Sequence, residues 1–212
     1  MKHQPLFIVL EGIDGSGTTT QGDKIEARFK SLGHHICRTS EPSHGEFGVL
    51  LRRDLRGQTE RRMNPRQVAL AFAADRLAHC EHEIAPALNK GHVVICDRYL
   101  GSSLTFQVVD GEGDITSDWL RSINQPILVP DMTLLIDCPV EIAMQRIVSR
   151  GKPFERYEVE KTLRAVRERY LEVMKGDSLG LGEVHIIDGR PSADEVFTQV
   201  KDRIGSYLRN AE

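Results

Sequence analysis

Cysteine is sparse in this chain of 212 residues: four, with a single tryptophan, few aromatics and no apolar run long enough to span a membrane. Cys37, Cys80, Cys96 and Cys138 are widely scattered without Cys-x-x-Cys spacing. That points away from a metal ribbon or disulfide frame and leaves reduced thiols, mostly small core residues. The net charge of −3 gives no global basicity, so nucleic acid is not an expected partner, nor is a membrane. No repeat or low-complexity tract is present. The first apolar run opens at Phe7, close enough to Met1 to leave no room for a signal peptide, and the expected compartment is cytoplasmic. A chain of this length supports one sizeable core, so residues 1–212 are expected to form a single domain.

Short apolar runs alternate with longer helical patterns. Strands are expected at 7–10, 35–39, 93–97, 132–137 and 184–188, and helices near 19–31, 65–89, 117–125, 140–149, 158–174 and 192–209. Asn64-Pro65 is a helix start, with an Asn cap and Pro at the first helical position. Apolar strands separated by helices predict an α/β fold: a parallel sheet of about five strands with helices on both faces. The Gly-rich stretch Lys175–Glu183 reads as a mobile connection. In such sheets ligands bind beyond the carboxyl ends of the strands, where Glu11-Gly12, Glu41-Pro42 and Asp97-Arg98-Tyr99 fall.

The strand 7–10 runs into Glu11-Gly12-Ile13-Asp14-Gly15-Ser16-Gly17-Thr18-Thr19-Thr20, nearly a phosphate-binding P-loop. Its glycines let successive N–H groups wrap an anion, and the following helix adds its dipole. Thr19 occupies the position whose hydroxyl can ligate Mg²⁺. Position 18, where the motif requires lysine, is threonine.

Other clusters carry more than one reading. Asp97 either caps a turn or stands near the loop's Mg²⁺, with Arg98 as a phosphate fork. Phe72 and Arg76 share a helix face; they are a core ring beside a solvated cation, or a stacking surface with a donor for a base carbonyl. The charges between Arg146 and Arg169 mostly describe a salt-bridged solvent face. Gly151-Lys152-Pro153 breaks that pattern, so Arg150 and Arg156 fall on a mobile basic lid, about residues 146–158, of the kind that closes over phosphates. Of the six arginines from Arg52 to Arg66, Arg52 is the best candidate for a ligand contact.

Taken in order, these pieces resemble the thymidylate kinase family over essentially the whole chain. They are Glu11-Gly-Ile-Asp-Gly-Ser-Gly, Thr39-Ser-Glu-Pro42, Gly48-Val-Leu-Leu-Arg52, Phe72-Ala-Ala-Asp-Arg76, Asp97-Arg-Tyr-x-x-Ser102-x-x-Thr-Phe-Gln107, Pro130-Asp-Met-Thr-Leu-Leu-Ile-Asp137 and Arg150-Gly-x-x-x-Glu-Arg-Tyr-Glu158. The resemblance implies a P-loop NTPase-type fold and Mg²⁺-dependent transfer of a phosphoryl group from ATP to dTMP. It implies that Phe72 stacks thymine, that Arg76 bonds its exocyclic oxygen, and that Arg98, with Arg52, holds the dTMP phosphate. Asp14, Glu41, Pro42, Ser102, Phe106, Gln107 and Tyr157 would line that nucleotide. Arg146 and Asp188-Gly-Arg-Pro would flank adenine, Thr19 and Asp97 would serve the metal, and the family usually dimerises.

Two positions depart from the family pattern. Thr18 removes a cation from the β/γ-phosphates, and Phe106 replaces the more usual Tyr. Phosphoryl transfer rests on positioning and charge neutralisation, and an uncompensated loss of one such donor costs on the order of 10²–10³ in rate. Some members of the family supply a catalytic arginine from the lid, so Arg150 or Arg156 is the expected substitute, with Asp14 and Arg98 completing the catalytic set. A non-catalytic nucleotide-binding regulator and a kinase for another nucleotide remain the alternatives.

Overall fold

A computed structural model describes residues 4–151, 153–176 and 179–209. Five strands, β1 (Leu6–Glu11), β2 (Ile36–Ser40), β3 (Val93–Asp97), β4 (Met132–Asp137) and β5 (Glu183–Asp188), form one parallel sheet in the order β2-β3-β1-β4-β5. β1 is central because it is apolar on both faces: Phe7 and Val9 belong to one core cluster, Ile8 and Leu10 to the other. β1 lies in register with β3 from Leu6↔Val93 to Leu10↔Asp97, which brings Glu11 and Asp97 to the same sheet edge.

The helices are α1 (Thr18–Ser31), α2 (Glu46–Leu55), α3 (Pro65–His79), α4 (Ala85–Asn89), α5 (Leu100–Ser102), α6 (Val108–Asp110), α7 (Ser117–Ile123), α8 (Val140–Ser149), α9 (Glu160–Lys175) and α10 (Ala193–Arg209). α1 and α10 cover one face of the sheet through Ile25, Phe29, Val196, Val200 and Ile204. α8 and α9 pack on the other through Ala143, Ile147, Leu163, Val166 and Tyr170. The helical pattern at 65–89 becomes α3, a π-helical turn at Cys80–Ile84 and α4 in unbroken succession. Asn64 and Gln67 form a reciprocal capping box at its start.

Two helical stretches were not legible in the sequence. α2 contains Gly48, a weak helix former, yet its missing Cβ is what lets the helix approach Ser43: a Cβ there would stand 1.9 Å from the Ser43 carbonyl oxygen. The stretch 100–110 combines α5, a π-helical turn at Ser103–Gln107 and α6. It is buried nearly all round and so shows no amphipathic period. Within the Lys175–Glu183 stretch, residues 177 and 178 lie outside the described residues; Leu181 is buried in the core and its carbonyl accepts from Thr133 Oγ1 at 2.6 Å. The four cysteines are free, and burial raises every thiol, Cys37 to about 11. Among the described residues no helix is long and apolar enough to cross a membrane.

Candidate active site

The loop after β1 is built to hold an anion. Gly15 and Gly17 take φ of +79° and +105°, and a Cβ on Gly15 would stand 2.4 Å from the Ala143 carbonyl oxygen. Gly17 caps α1 without a side-chain hydrogen bond, so the N–H groups of the first turn keep their free donors. Ser16 Oγ is buried with no hydrogen-bond partner among the described residues.

A cavity of about 530 Å³ opens over this loop, bounded by Ile13, Asp14, Gly15, Gly17 and the side of α1 at Thr18, Thr19 and Thr20. Asp97, Arg98, Arg146 and Arg150 close it. Thr19 Oγ1 donates to Asp97 Oδ2 at 2.8 Å, while Asp97 Oδ1 is buried without a partner among the described residues. Arg146 is on the last turns of α8 rather than on a loop, so the helix break begins at Arg150; Lys152 lies outside the described residues. Arg146 Nη1 donates to the Gly15 and Ser16 carbonyls and Nη2 to the Gly189 carbonyl. A neighbouring cavity of about 260 Å³ runs from Gly17, Thr20 and Arg146 to Gly189, Pro191 and Ser192.

A second, tighter cavity of about 100 Å³ adjoins the first. Its walls are Phe72 and Arg76 from α3, Pro42, Ser102, Phe106 and Gln107, with Tyr157 and Arg156 from the segment after α8. Asp14, Glu41 and Arg98 line both cavities. Arg98 is the hinge between them. It has φ +71°, uncommon outside glycine and a conformation that costs energy. Its Nη2 donates to Asp14 Oδ1 at 2.8 Å and its Nη1 to the Gly12 carbonyl at 2.8 Å, and its guanidinium lies 5.0 Å from the Phe106 ring centroid. Burial raises the Asp14 carboxyl above its ordinary value; Arg98 opposes that shift, and the charges of Glu158 and Glu155 add to it. The Tyr157 hydroxyl and Gln107 Oε1 are buried on this cavity without hydrogen-bond partners among the described residues.

Three residues sit differently from their sequence-based roles. Arg52 does not line the second cavity; it clamps the Pro42 and Ser43 carbonyls and so holds the turn after β2. Arg76 is buried to 1% exposure, donating to Glu41, Asn124, the Tyr99 carbonyl and Ser103 Oγ. Its main load is structural, although it lines the cavity. Arg156 points away from the phosphate loop, pairing Asp110 at 2.7 Å and the fully buried Asp54 at 3.4 Å, while its backbone N–H bonds the Leu55 carbonyl. Of the two candidate lid arginines, only Arg150 lines the phosphate cavity, held by Glu158.

The sequence puts Glu11 at the carboxyl edge of the sheet but does not reveal the hydrogen-bond network it anchors. Glu11, fully buried, accepts from the backbone N–H groups of Tyr99 and Ser102, from Ser102 Oγ and from Tyr170 Oη. Burial drives its carboxyl up against those bonds and Arg98. Its position at the end of the central strand was the available signal; Tyr170, on a core stripe of α9, gave none.

Glycine loop, helix N-terminus and two joined cavities on the carboxyl edge of a parallel sheet define a P-loop protein that holds one phosphorylated ligand against another. The thymidylate kinase family model matches residues 10–200. A probable thymidylate kinase of Pyrococcus abyssi is 38% identical over 92% of this chain and 93% of its own length. One of Thermococcus kodakarensis is 37% identical over 96% and 98%, and a thymidylate kinase of Geotalea daltonii 33% identical over 92% and 94%. The chain belongs to the thymidylate kinase family, nucleoside monophosphate kinases that phosphorylate dTMP to dTDP with ATP.

Proposed function

We propose that this chain transfers the γ-phosphoryl group of ATP to dTMP as one catalytic unit spanning residues 1–212, with segment 146–158 as its lid. The observation that carries the reading is the shared wall of Asp14, Glu41 and Arg98 between a P-loop cavity and an apolar, aromatic-lined one. A dTMP phosphate oxygen forms a bond to the γ-phosphorus as the bond to the β,γ-bridging oxygen breaks, giving dTDP and ADP.

The loop N–H groups from Ile13 to Thr20 hold the donor phosphates, and Arg146 with the Gly189–Ser192 segment flanks adenine. Arg98, fixed by Asp14, holds the acceptor phosphate at the junction. Phe72 offers a ring face to the base. Arg76, the Tyr157 hydroxyl and Gln107 Oε1 offer polar atoms to its edges and to the sugar, with Glu41, Pro42, Ser102 and Phe106 shaping the walls. Arg150 supplies the charge that Thr18 lacks.

Mg²⁺ fits the corner beside Thr19. Thr19 and Asp97 are hard oxygen donors, and Asp97 Oδ1 lacks a partner among the described residues. No third carboxylate, His or Cys completes a cage among the described residues, which suits an ion that keeps waters and takes phosphate oxygens. When bound, it would neutralise phosphate charge.

ADP release, followed with ATP and dTMP, dUMP, dCMP or dGMP in turn, tests the reading. dTMP is expected to be the preferred acceptor; tight ATP binding without ADP release from any of them would favour a non-catalytic regulator. Phe72→Leu retains apolar volume but removes the ring face, and is expected to weaken dTMP by about 1–3 kcal/mol while leaving ATP unchanged. Equal losses for both, measured by calorimetry, would make Phe72 a packing residue only.

The chain is proposed to act in the cytoplasm as a dimer. Phe47 and Leu50 on α2, and Leu70 and Leu77 on α3, are large apolar residues at least 37% exposed on two helices that pack together. Leu70→Glu with Leu77→Glu is expected to shift sedimentation from dimer to monomer. A monomeric unmodified chain would contradict this.

A further inference from the structure

One charged side chain near the metal corner is used by none of the roles above. Arg38, in the middle of β2, lies beneath α1, where an apolar residue would cost less. Its Nη1 donates to the Thr39 and Ile95 carbonyls at 3.2 and 3.3 Å. Its Nε is buried with no hydrogen-bond partner among the described residues, and Asp23 stands 4.0 Å away, largely exposed. Its Nη2 is 3.8 Å from Asp97 Oδ2, the oxygen that accepts from Thr19 Oγ1. A poorly satisfied guanidinium has thus been brought under a helix to face the carboxylate beside the phosphate loop.

The helix is shaped to admit it. Gly22 lies in the second turn of α1, a position where glycine is about 1 kcal/mol worse than alanine. A Cβ on Gly22 would stand 2.1 Å from Arg38 Nη2 and 2.5 Å from Cζ. The helix gives up local stability at the one place where the guanidinium needs room.

We infer that Arg38, seated on Gly22, is a positioning residue for Asp97: it holds Oδ2 toward Thr19 and so leaves Oδ1 free for the divalent cation that accompanies ATP. This rests on the kinase reading and concerns the same corner, but assigns residues outside both cavities. The guanidinium also leaves a fixed positive charge behind a phosphate loop that lacks its own lysine. Outer-shell partners of this kind typically tune metal affinity or activity by 10–100-fold.

Gly22→Ala separates this role from a structural one, because the substitution favours the helix while displacing the guanidinium. The experiment is calorimetric titration of ATP, with saturating Mg²⁺ and again with a chelator, into the unmodified chain and the Gly22→Ala, Arg38→Met and Arg38→Lys variants, with a melting curve for each. Gly22→Ala and Arg38→Met are expected to lose about 10-fold or more of the Mg²⁺-dependent tightening of ATP while binding in chelator changes little. Gly22→Ala should melt no lower than the unmodified chain, and Arg38→Lys should restore part of the effect. Equal weakening with and without Mg²⁺, an unchanged Mg²⁺ effect in both variants, or no Mg²⁺ effect in the unmodified chain would each overturn the inference. ADP release with dTMP, measured separately, reports on the kinase reading itself.

Discussion

Arg76→Ala is expected to lower folding stability by about 3–5 kcal/mol. Arg76 and Glu41 are each about 1% exposed at the side chain and 2.7 Å apart, and Glu41 also faces His79 at 3.4 Å. Removing the guanidinium strands a buried carboxylate together with Asn124 Oδ1, Ser103 Oγ and the Tyr99 carbonyl. Breaking such a pair costs about 3–5 kcal/mol, against a total stability of about 5–15 kcal/mol for a domain. Lysine cannot replace the fork, because it offers a point charge where several acceptors surround a plane. Urea unfolding followed by circular dichroism checks this. A loss below about 1 kcal/mol, with dTMP affinity alone reduced, would show that Arg76 acts mainly on the base.

The second large effect concerns turnover. Arg150→Ala is expected to lower kcat by about 10²–10³-fold, with a smaller change in the KM for dTMP, since its contact strengthens as charge moves toward the bridging oxygen. Arg156→Ala should behave differently. Arg156 ties the segment after α8 to Asp54 and Asp110 and lines the cavity that holds Phe72, so its loss should raise the KM for dTMP and lower stability while kcat falls less.

The contrast between these two arginines shows how far the sequence could be read. Glycines, hydrophobic runs and the Asn64-Pro65 start placed the strands and most helices to within a residue or two, because each rests on local chemistry. Ten of the acceptor-side positions converge on the cavity because the sheet edge gathers them. Burial and partner choice were not legible. Arg52 spends its fork on two carbonyls, Arg76 on a buried carboxylate and Arg156 on two acidic residues distant in sequence; only the folded chain reveals which arginine is left for phosphate. The partners of Glu11 were hidden for the same reason, since its donors come from Tyr99, Ser102 and Tyr170, far along the chain.

A phosphate loop with Thr18 in place of lysine is proposed to remain catalytic because Arg150 carries the missing charge. The most direct measurement is kcat for ADP release with dTMP in a double-mutant cycle of Thr18→Lys and Arg150→Ala. Arg150→Ala alone is expected to be slow, and adding Thr18→Lys to recover part of the lost rate, a positive coupling between the sites. Near-normal turnover from Arg150→Ala, or losses unaffected by the restored lysine, would contradict it.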